Sequence, residues 1–272
     1  MKRIVIQALA LLMCFALTLF ATGCRNGENN ETTGSPETSL TQTTENATEL
    51  STEGAASRDS ALVPESDKVS ADYFDNAAFV GDSVSLKLSY YAAATGALGN
   101  AQFFTAGSLG SGNALWEVSD ESVHPSYQGV KMLVEDCVAY SGADVVYIML
   151  GMNDIALYGI DDSVANYKTL VDNIKAQSPD IKVVIQSMTP MTDTSTIFSE
   201  DLNNDVIKEY NNRLLALCNE NHWDFVDVAS VMYDAEGINL NRDFCSDPDG
   251  LGVHFTEAGC EAWVEYLSTH TP

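Results

Sequence analysis

The chain has 272 residues, with 39 acidic side chains against 13 basic ones and a formal charge of −26. That balance excludes nucleic acid as a partner, because a phosphate backbone is held by clustered Lys and Arg and no such cluster occurs here. It equally excludes attachment to anionic lipid through a basic patch, so any membrane contact has to come from an anchor.

Residues 1–23 read as a leader. Lys2 and Arg3 precede an apolar run over 4–20, and the small residues Ala21, Thr22 and Gly23 stand before Cys24. The segment is similar to a bacterial lipoprotein signal, in which the Cys after the small residues is lipidated and becomes the mature N-terminus; an uncleaved transmembrane anchor and a plain secretory signal are the alternatives. The resemblance implies an extracytoplasmic domain held at the cell surface through Cys24. Residues 24–70 are then rich in Thr, Ser, Glu, Asn and Gly with almost no large apolar side chains. Such a stretch buries too little to offset its chain entropy and is expected to be a flexible spacer. The remaining 71–272, about 200 residues, suit one domain around a single core.

Within that domain, short β-rich apolar runs alternate with helical patterns, the order expected of a parallel sheet covered on both faces. Strands are expected at 77–80, 102–105, 145–150, 182–186 and 225–228. Helices are expected at 84–94, 129–140, 163–176 and 200–221, with a last one over 256–268. Ser178-Pro179 ends the third helix, because the residue before proline is pushed out of the α region. The result is a three-layer α/β domain, in which ligands bind beyond the carboxyl ends of the strands.

Of six cysteines, Cys14 lies in the leader and Cys24 is the anchor candidate. The other four, Cys137, Cys218, Cys245 and Cys260, fit no zinc spacing. Cys137 and Cys218 fall in apolar helical contexts that suit buried thiols. Only Cys245 and Cys260 stand where a bridge could form, and an unbridged pair is the favoured reading there as well.

Four segments at the expected strand ends carry chemistry. The first strand runs into Gly81-Asp82-Ser83 and then a helix, which places Ser83 where free N–H groups and a positive dipole end favour developing negative charge. A serine in that position is also an ordinary helix cap. After the second strand comes Ala106-Gly107-Ser108-Leu109-Gly110-Ser111-Gly112-Asn113, whose glycines let a backbone N–H approach an oxyanion closely. The third strand ends in Gly151-Met152-Asn153-Asp154, and Asn153 can aim an amide into the cleft, although Asn-Asp also makes turns. Near the C-terminus stands Asp247-Pro248-Asp249-Gly250-Leu251-Gly252-Val253-His254, a histidine on a loop before the last helix with carboxylates upstream. That suits an imidazole base held in one tautomer by an acid. His124, His222 and His270 lack this setting. Tyr90, Tyr91, Trp116 and Tyr158 follow these segments and suit either a core or a sugar-stacking or acyl-binding rim.

Together the four segments, in this order, resemble the SGNH or GDSL-like hydrolase superfamily over about residues 79–259. The resemblance implies a flavodoxin-like three-layer α/β/α sandwich with a parallel five-stranded sheet. It implies Ser83 as nucleophile, His254 as base, and Gly110 (in preference to Gly107) and Asn153 as oxyanion donors. The family's acid stands three residues before the histidine, where this chain has Leu251. Asp249, five before His254, is the favoured replacement, with Asp247 and a Ser/His dyad as alternatives.

The implied activity is serine esterase or acylhydrolase chemistry on ester-linked acyl groups, O-acetyl on carbohydrate first and lysophospholipid second, with no metal or organic cofactor and no obligate protein partner. Transfer of the acyl group to another hydroxyl shares the same intermediate, and a non-catalytic glycan-binding lipoprotein is the reading from a different class. The α/β-hydrolase pattern Gly-x-Ser-x-Gly is absent, since Gly81 is followed by Asp-Ser-Val-Ser.

Overall fold

The computed structural model describes residues 60–272. The leader, Cys24 and most of the Thr/Ser/Glu-rich spacer lie outside the described residues. Five strands build one sheet: β1 (Ala77–Gly81), β2 (Gln102–Thr105), β5 (Val145–Met149), β6 (Lys182–Gln186) and β7 (Asp224–Val226). Their spatial order is β2-β1-β5-β6-β7 and every pairing is parallel. All five residues of β1, an interior strand, are buried, which is why its sequence is a continuous small and apolar run instead of an alternating one.

Five helices connect and cover the strands: α1 (Ser83–Thr95), α2 (Val134–Ser141), α3 (Ile155–Gln177), α4 (Asn204–Asn221) and α5 (Glu257–Thr269). They fall into two packed groups, α1 with α5, and α3 with both α2 and α4. The three-layer α/β architecture expected from the sequence is therefore present. One face of the sheet carries a row of aromatics in register. Phe103, Phe79 and Tyr147 sit on neighbouring strands, with Phe79 stacked 5.0 Å from Phe103 and 4.8 Å from Tyr147. Such cross-strand pairs fix register, and register here decides which strand ends reach the site.

The helix expected over 129–140 is half right. Residues Ser126–Tyr127 (β3) and Val130–Lys131 (β4) form an antiparallel hairpin before α2 begins. Gln128 and Gly129 both hold positive φ, 49° and 80°, which a tight hairpin turn demands and a helix forbids. α3 begins at Ile155, eight residues before the expected start, and runs through a break at Gly159. α4 begins after Asn203, whose side chain accepts from the N–H groups of Asp205 and Val206 and so defines the true cap. The last expected strand ends at Val226 and gives way to a 3-10 turn over Val228–Val231.

The spacer boundary also moves. Composition carries the spacer to residue 70, but residues 61–69 lie against the domain. Val63 donates to the Phe225 carbonyl, Phe225 donates to Ala61, and Val69 donates to Ser268. Val63 is 1% exposed. One buried Val in the short apolar run Ala61-Leu62-Val63, with a few edge hydrogen bonds, is below what composition averaged over a long polar stretch can reveal. Burial of a Val side chain contributes about 1.5–3 kcal/mol. A chain starting at residue 71 should therefore melt several degrees below one starting at residue 60, measured by thermal unfolding; equal midpoints would show that the 61–69 segment contributes nothing.

Candidate active site

At the carboxyl end of β1, Asp82 is the N-cap of α1 and its side chain accepts from the Val84 N–H at 2.8 Å. Ser83 follows as the first residue of the helix, so its hydroxyl stands at the positive end of the α1 dipole. His254 reaches it from the loop before α5, with Nε2 2.9 Å from Ser83 Oγ. These two residues are 171 apart in sequence, and the parallel sheet brings them into hydrogen-bond contact.

The carboxylate behind the imidazole is Asp247. Its Oδ2 lies 2.8 Å from His254 Nδ1. Its Oδ1 accepts from the Val253 and His254 backbone N–H groups at 3.2 and 3.1 Å and from the Cys245 thiol at 3.3 Å. Partial burial alone would raise the Asp247 carboxyl, but the donors from His254 outweigh it and hold the group below the usual carboxylate range. Asp247 is thus an ionised acceptor, which keeps the proton of His254 on Nδ1 and leaves Nε2 to face the serine.

The expectation for Asp249 is corrected. Asp249 points away from the imidazole and pairs with Arg242, its Oδ1 2.7 Å from Nη2 and 3.0 Å from the Thr194 hydroxyl. The reason is the shape of the intervening turn. The N–H groups of Gly250 and Gly252 both fold back onto the Asp247 carbonyl, at 2.8 and 3.0 Å. The four residues added relative to the family spacing therefore close into a knot, and Asp247 occupies the place beside the ring. The knot rests on the segment after β6: the hydroxyls of Thr192 and Thr194 donate to the Pro248 carbonyl, Ser195 to Leu251 and Thr196 to Gly250. None of these supports was singled out in the sequence. The Ser/Thr density at 192–196 was the available signal.

The two expected oxyanion donors are both in the site, and both are engaged internally. Asn153 donates to Asp82 Oδ2 at 3.0 Å and to the Leu109 carbonyl at 3.1 Å. Gly110 donates its N–H to Asn113 Oδ1 at 2.9 Å. A Cβ on Gly110 would stand 2.5 Å from Asp154 Oδ1, whereas one on Gly107 would meet nothing within 4 Å, so close packing makes glycine obligatory at 110 only. Asp154 is fully buried and accepts from the N–H groups of Ser111 and Gly112 at 2.8 and 2.9 Å, which braces this turn against the start of α3.

Cys137, Cys218, Cys245 and Cys260 are all free and buried, so no bridge joins Cys245 to Cys260. Burial pushes the Cys245 thiol up to about 12, and it therefore acts as a neutral donor to Asp247. Tyr90 and Trp116 are exposed, while Tyr158 packs beside the Gly112 backbone. Among the described residues, no three or more His, Cys, Asp and Glu side chains are arranged to hold a metal, and no helix is long and apolar enough to cross a membrane.

The buried Asp82 carboxyl makes stability depend on pH. Asp82 is 3% exposed, and burial is the main cause that pushes its carboxyl up to about 6. A folded value above the unfolded one, roughly 4, means that the native state binds the proton more tightly. The stabilising contribution is complete below that unfolded value and is lost as pH rises through about 6. Denaturant unfolding of wild type and Asp82→Asn at about pH 4 and pH 7 should show wild type gaining stability relative to the variant at the lower pH. A stability difference that does not change with pH would contradict the buried, titrating carboxyl.

Residues 79–262 match the GDSL-like lipase/acylhydrolase family. No curated protein matches the chain by sequence. Among solved structures, the chain is similar to a Bacteroides fragilis protein provisionally named an acylhydrolase, with 20% identity and a TM-score of 0.55 over 75% of this chain and 88% of that one. It is similar to a GDSL-like lipase from Bacteroides thetaiotaomicron, with 17% identity and a TM-score of 0.50 over 71% and 86%. It is also similar to an acetyl xylan esterase, with 16% identity and a TM-score of 0.50 over 70% and 96%. At these identities the structures attest a shared fold, while the family match covers most of the domain and includes the segments that carry Ser83, Gly110, Asn153 and His254. The chain belongs to the GDSL-like lipase/acylhydrolase family of hydrolases.

Proposed function

We propose that the protein is a serine esterase that removes short ester-linked acyl groups, O-acetyl foremost, from carbohydrate through an acyl-enzyme on Ser83. The observation that carries this reading is the unbroken hydrogen-bonded chain Ser83 Oγ, His254 Nε2, His254 Nδ1, Asp247 Oδ2, with contacts of 2.9 and 2.8 Å. The chain holds a hydroxyl, a base and the acid that orients the base, which are the parts that nucleophilic acyl transfer needs.

In the first half-reaction Ser83 Oγ bonds to the ester carbonyl carbon while its proton passes to His254 Nε2. Asp247 stabilises the imidazolium without taking the proton. The carbonyl oxygen becomes an oxyanion beside the Ser83 N–H at the head of α1, where the dipole favours negative charge. Gly110 joins as a donor once Asn113 Oδ1 withdraws, and Asn153 turns an amide hydrogen from its present acceptors. The intermediate collapses, the C–O bond to the sugar breaks, and the imidazolium gives its proton to the leaving alkoxide. Water then attacks the acyl-serine with His254 again as base, releasing the acid and restoring Ser83.

A glycan-binding role without turnover drew its support from the missing acid three residues before His254, and Asp247 beside the imidazole supplies that acid. The acidic body argues against anionic phospholipid as substrate. In this reading the domain works outside the cytoplasm, tethered through a lipidated Cys24 and held away from the membrane by the spacer, as the leader pattern supports.

Initial rates on p-nitrophenyl acetate and longer-chain esters check the reading. Ser83→Ala and His254→Ala should abolish turnover, and acetyl should be preferred over long chains. Asp247→Asn should lower kcat by at least about a hundredfold, since the tautomer is no longer enforced. Asp249→Asn should stay within about threefold of wild type, because an exposed ion pair contributes little. Equal losses in the two Asp variants would contradict the assignment of Asp247, and activity retained by Ser83→Ala would contradict the acyl-serine.

A further inference from the structure

The turn that carries Gly110 leads directly into a second recess. After Asn113–Leu115 forms a 3-10 turn, residues 115–118 border a cleft of about 630 Å³ whose other walls are the hairpin end at Lys131–Leu133, the head of α2 and Asn173 of α3. That volume falls within the range of small-molecule sites, roughly 300–1,000 Å³. None of the catalytic groups lines it.

Three features of the cleft point to a ligand. Trp116 and Val118 border it while 54% and 41% exposed, so the wall presents adjacent apolar surface, an indole included, to whatever enters. Glu135 also lines it and is only 6% exposed, with one carboxyl oxygen taken by the Asn173 amide and the other without any partner. A buried acceptor left unpartnered carries a free-energy cost, and because this oxygen has almost no exposed surface a ligand hydroxyl relieves it once the side chain turns toward the cleft. The loop bearing Trp116 is held in place beforehand: the Lys131 ammonium donates to the carbonyls of Ser119, Asp120 and Ser122, and His124 Nε2 lies 3.3 Å from the Ala114 carbonyl.

The charge of the walls narrows the ligand. Glu117, Glu135 and Asp136 line the cleft, and the single lining cation, Lys131, spends its donors on those three carbonyls. An anionic group would be repelled, whereas a neutral polyol offers hydroxyls to carboxylates and an apolar ring face to an indole. The chain also sets the distance. Trp116 follows Gly110 by six residues, so the two backbones are at most about 20 Å apart even if fully extended.

We propose that this cleft is a subsite for a neutral carbohydrate chain, in which a sugar ring stacks on Trp116 and hydroxyls bond to Glu135, holding residues adjacent to the sugar whose ester faces Ser83. The proposal rests on the esterase reading for its catalytic consequence but not for its binding. The subsite makes the enzyme selective for acylated neutral oligosaccharides over acylated monosaccharides and over polymers of acidic sugars. It contributes affinity, so its loss raises KM and leaves kcat nearly unchanged.

The test combines catalysis with a binding readout that needs no turnover. Full-length wild type, Trp116→Ala and Glu135→Gln are assayed on O-acetylated xylo-oligosaccharides, on acetylated xylose and on p-nitrophenyl acetate. Binding of unacetylated xylo-oligosaccharides is measured by calorimetry. We expect Trp116→Ala to raise KM for the oligosaccharides about tenfold, equivalent to about 1.4 kcal/mol, and to weaken calorimetric binding by the same factor. The two small substrates should be cleaved at wild-type rates. Glu135→Gln should fold normally and weaken the same oligosaccharide binding. Oligosaccharide KM and binding unchanged in Trp116→Ala would overturn the subsite and leave the esterase reading intact. Wild type that binds the oligosaccharides through Trp116 yet cleaves no ester would instead overturn the esterase reading and keep the subsite.

Discussion

The Asp247 carboxylate is the interaction on which the site depends. One oxygen orients the imidazole and the other gathers the backbone of Val253 and His254 and the Cys245 thiol, so a single side chain fixes both the ring and the loop that carries it. Hydrogen bonds to an ionised acceptor are the stronger kind, and four donors converge here. The knot at 248–252 and the hydroxyls of 192–196 then hold the loop from the far side. His254 is therefore placed by a stack of local hydrogen bonds within its loop, while the sheet and α1 place Ser83 opposite it.

Most of the fold was legible because parallel strands buried on both faces write themselves as apolar runs. β1, β2 and β6 begin where the sequence puts them, and β5 ends one residue early. What escaped were features decided by backbone geometry at one or two residues. The hairpin at Gln128-Gly129 hides inside a stretch with helical spacing, and only the glycine hints at it. The short first turn of α3 hides before Gly159, whose non-helical backbone, with φ of 75°, separates it from the long helix that follows. The early edge of the domain depends on Val63, the fully buried member of a short apolar run, Ala61-Leu62-Val63, that follows a long polar stretch.

The site divides in the same way. Ser83, Asn153 and His254 sit at strand ends and before a helix, places that topology dictates, and their segments were readable. Asp249 was favoured over Asp247 by sequence distance, which measures the wrong thing once a loop closes on itself. The hydrogen bonds from Gly250 and Gly252 to the Asp247 carbonyl shorten seven residues to the span of a few. Asp82 and Asp154 are the other residues that reading by motif undervalues. Each is buried, and each spends its carboxylate on orienting a neighbour: Asn153 for one, the Gly110 turn for the other.

We propose that the Asp247–His254 pair makes Ser83 the strongly nucleophilic hydroxyl of the domain. The direct measurement is mass spectrometry after treatment with a fluorophosphonate, which couples covalently to activated serines. The expected result is one adduct, on the peptide bearing Ser83, formed in step with loss of esterase activity and absent in His254→Ala. An adduct on a different serine, or ester cleavage that persists after Ser83 is fully labelled, would contradict it.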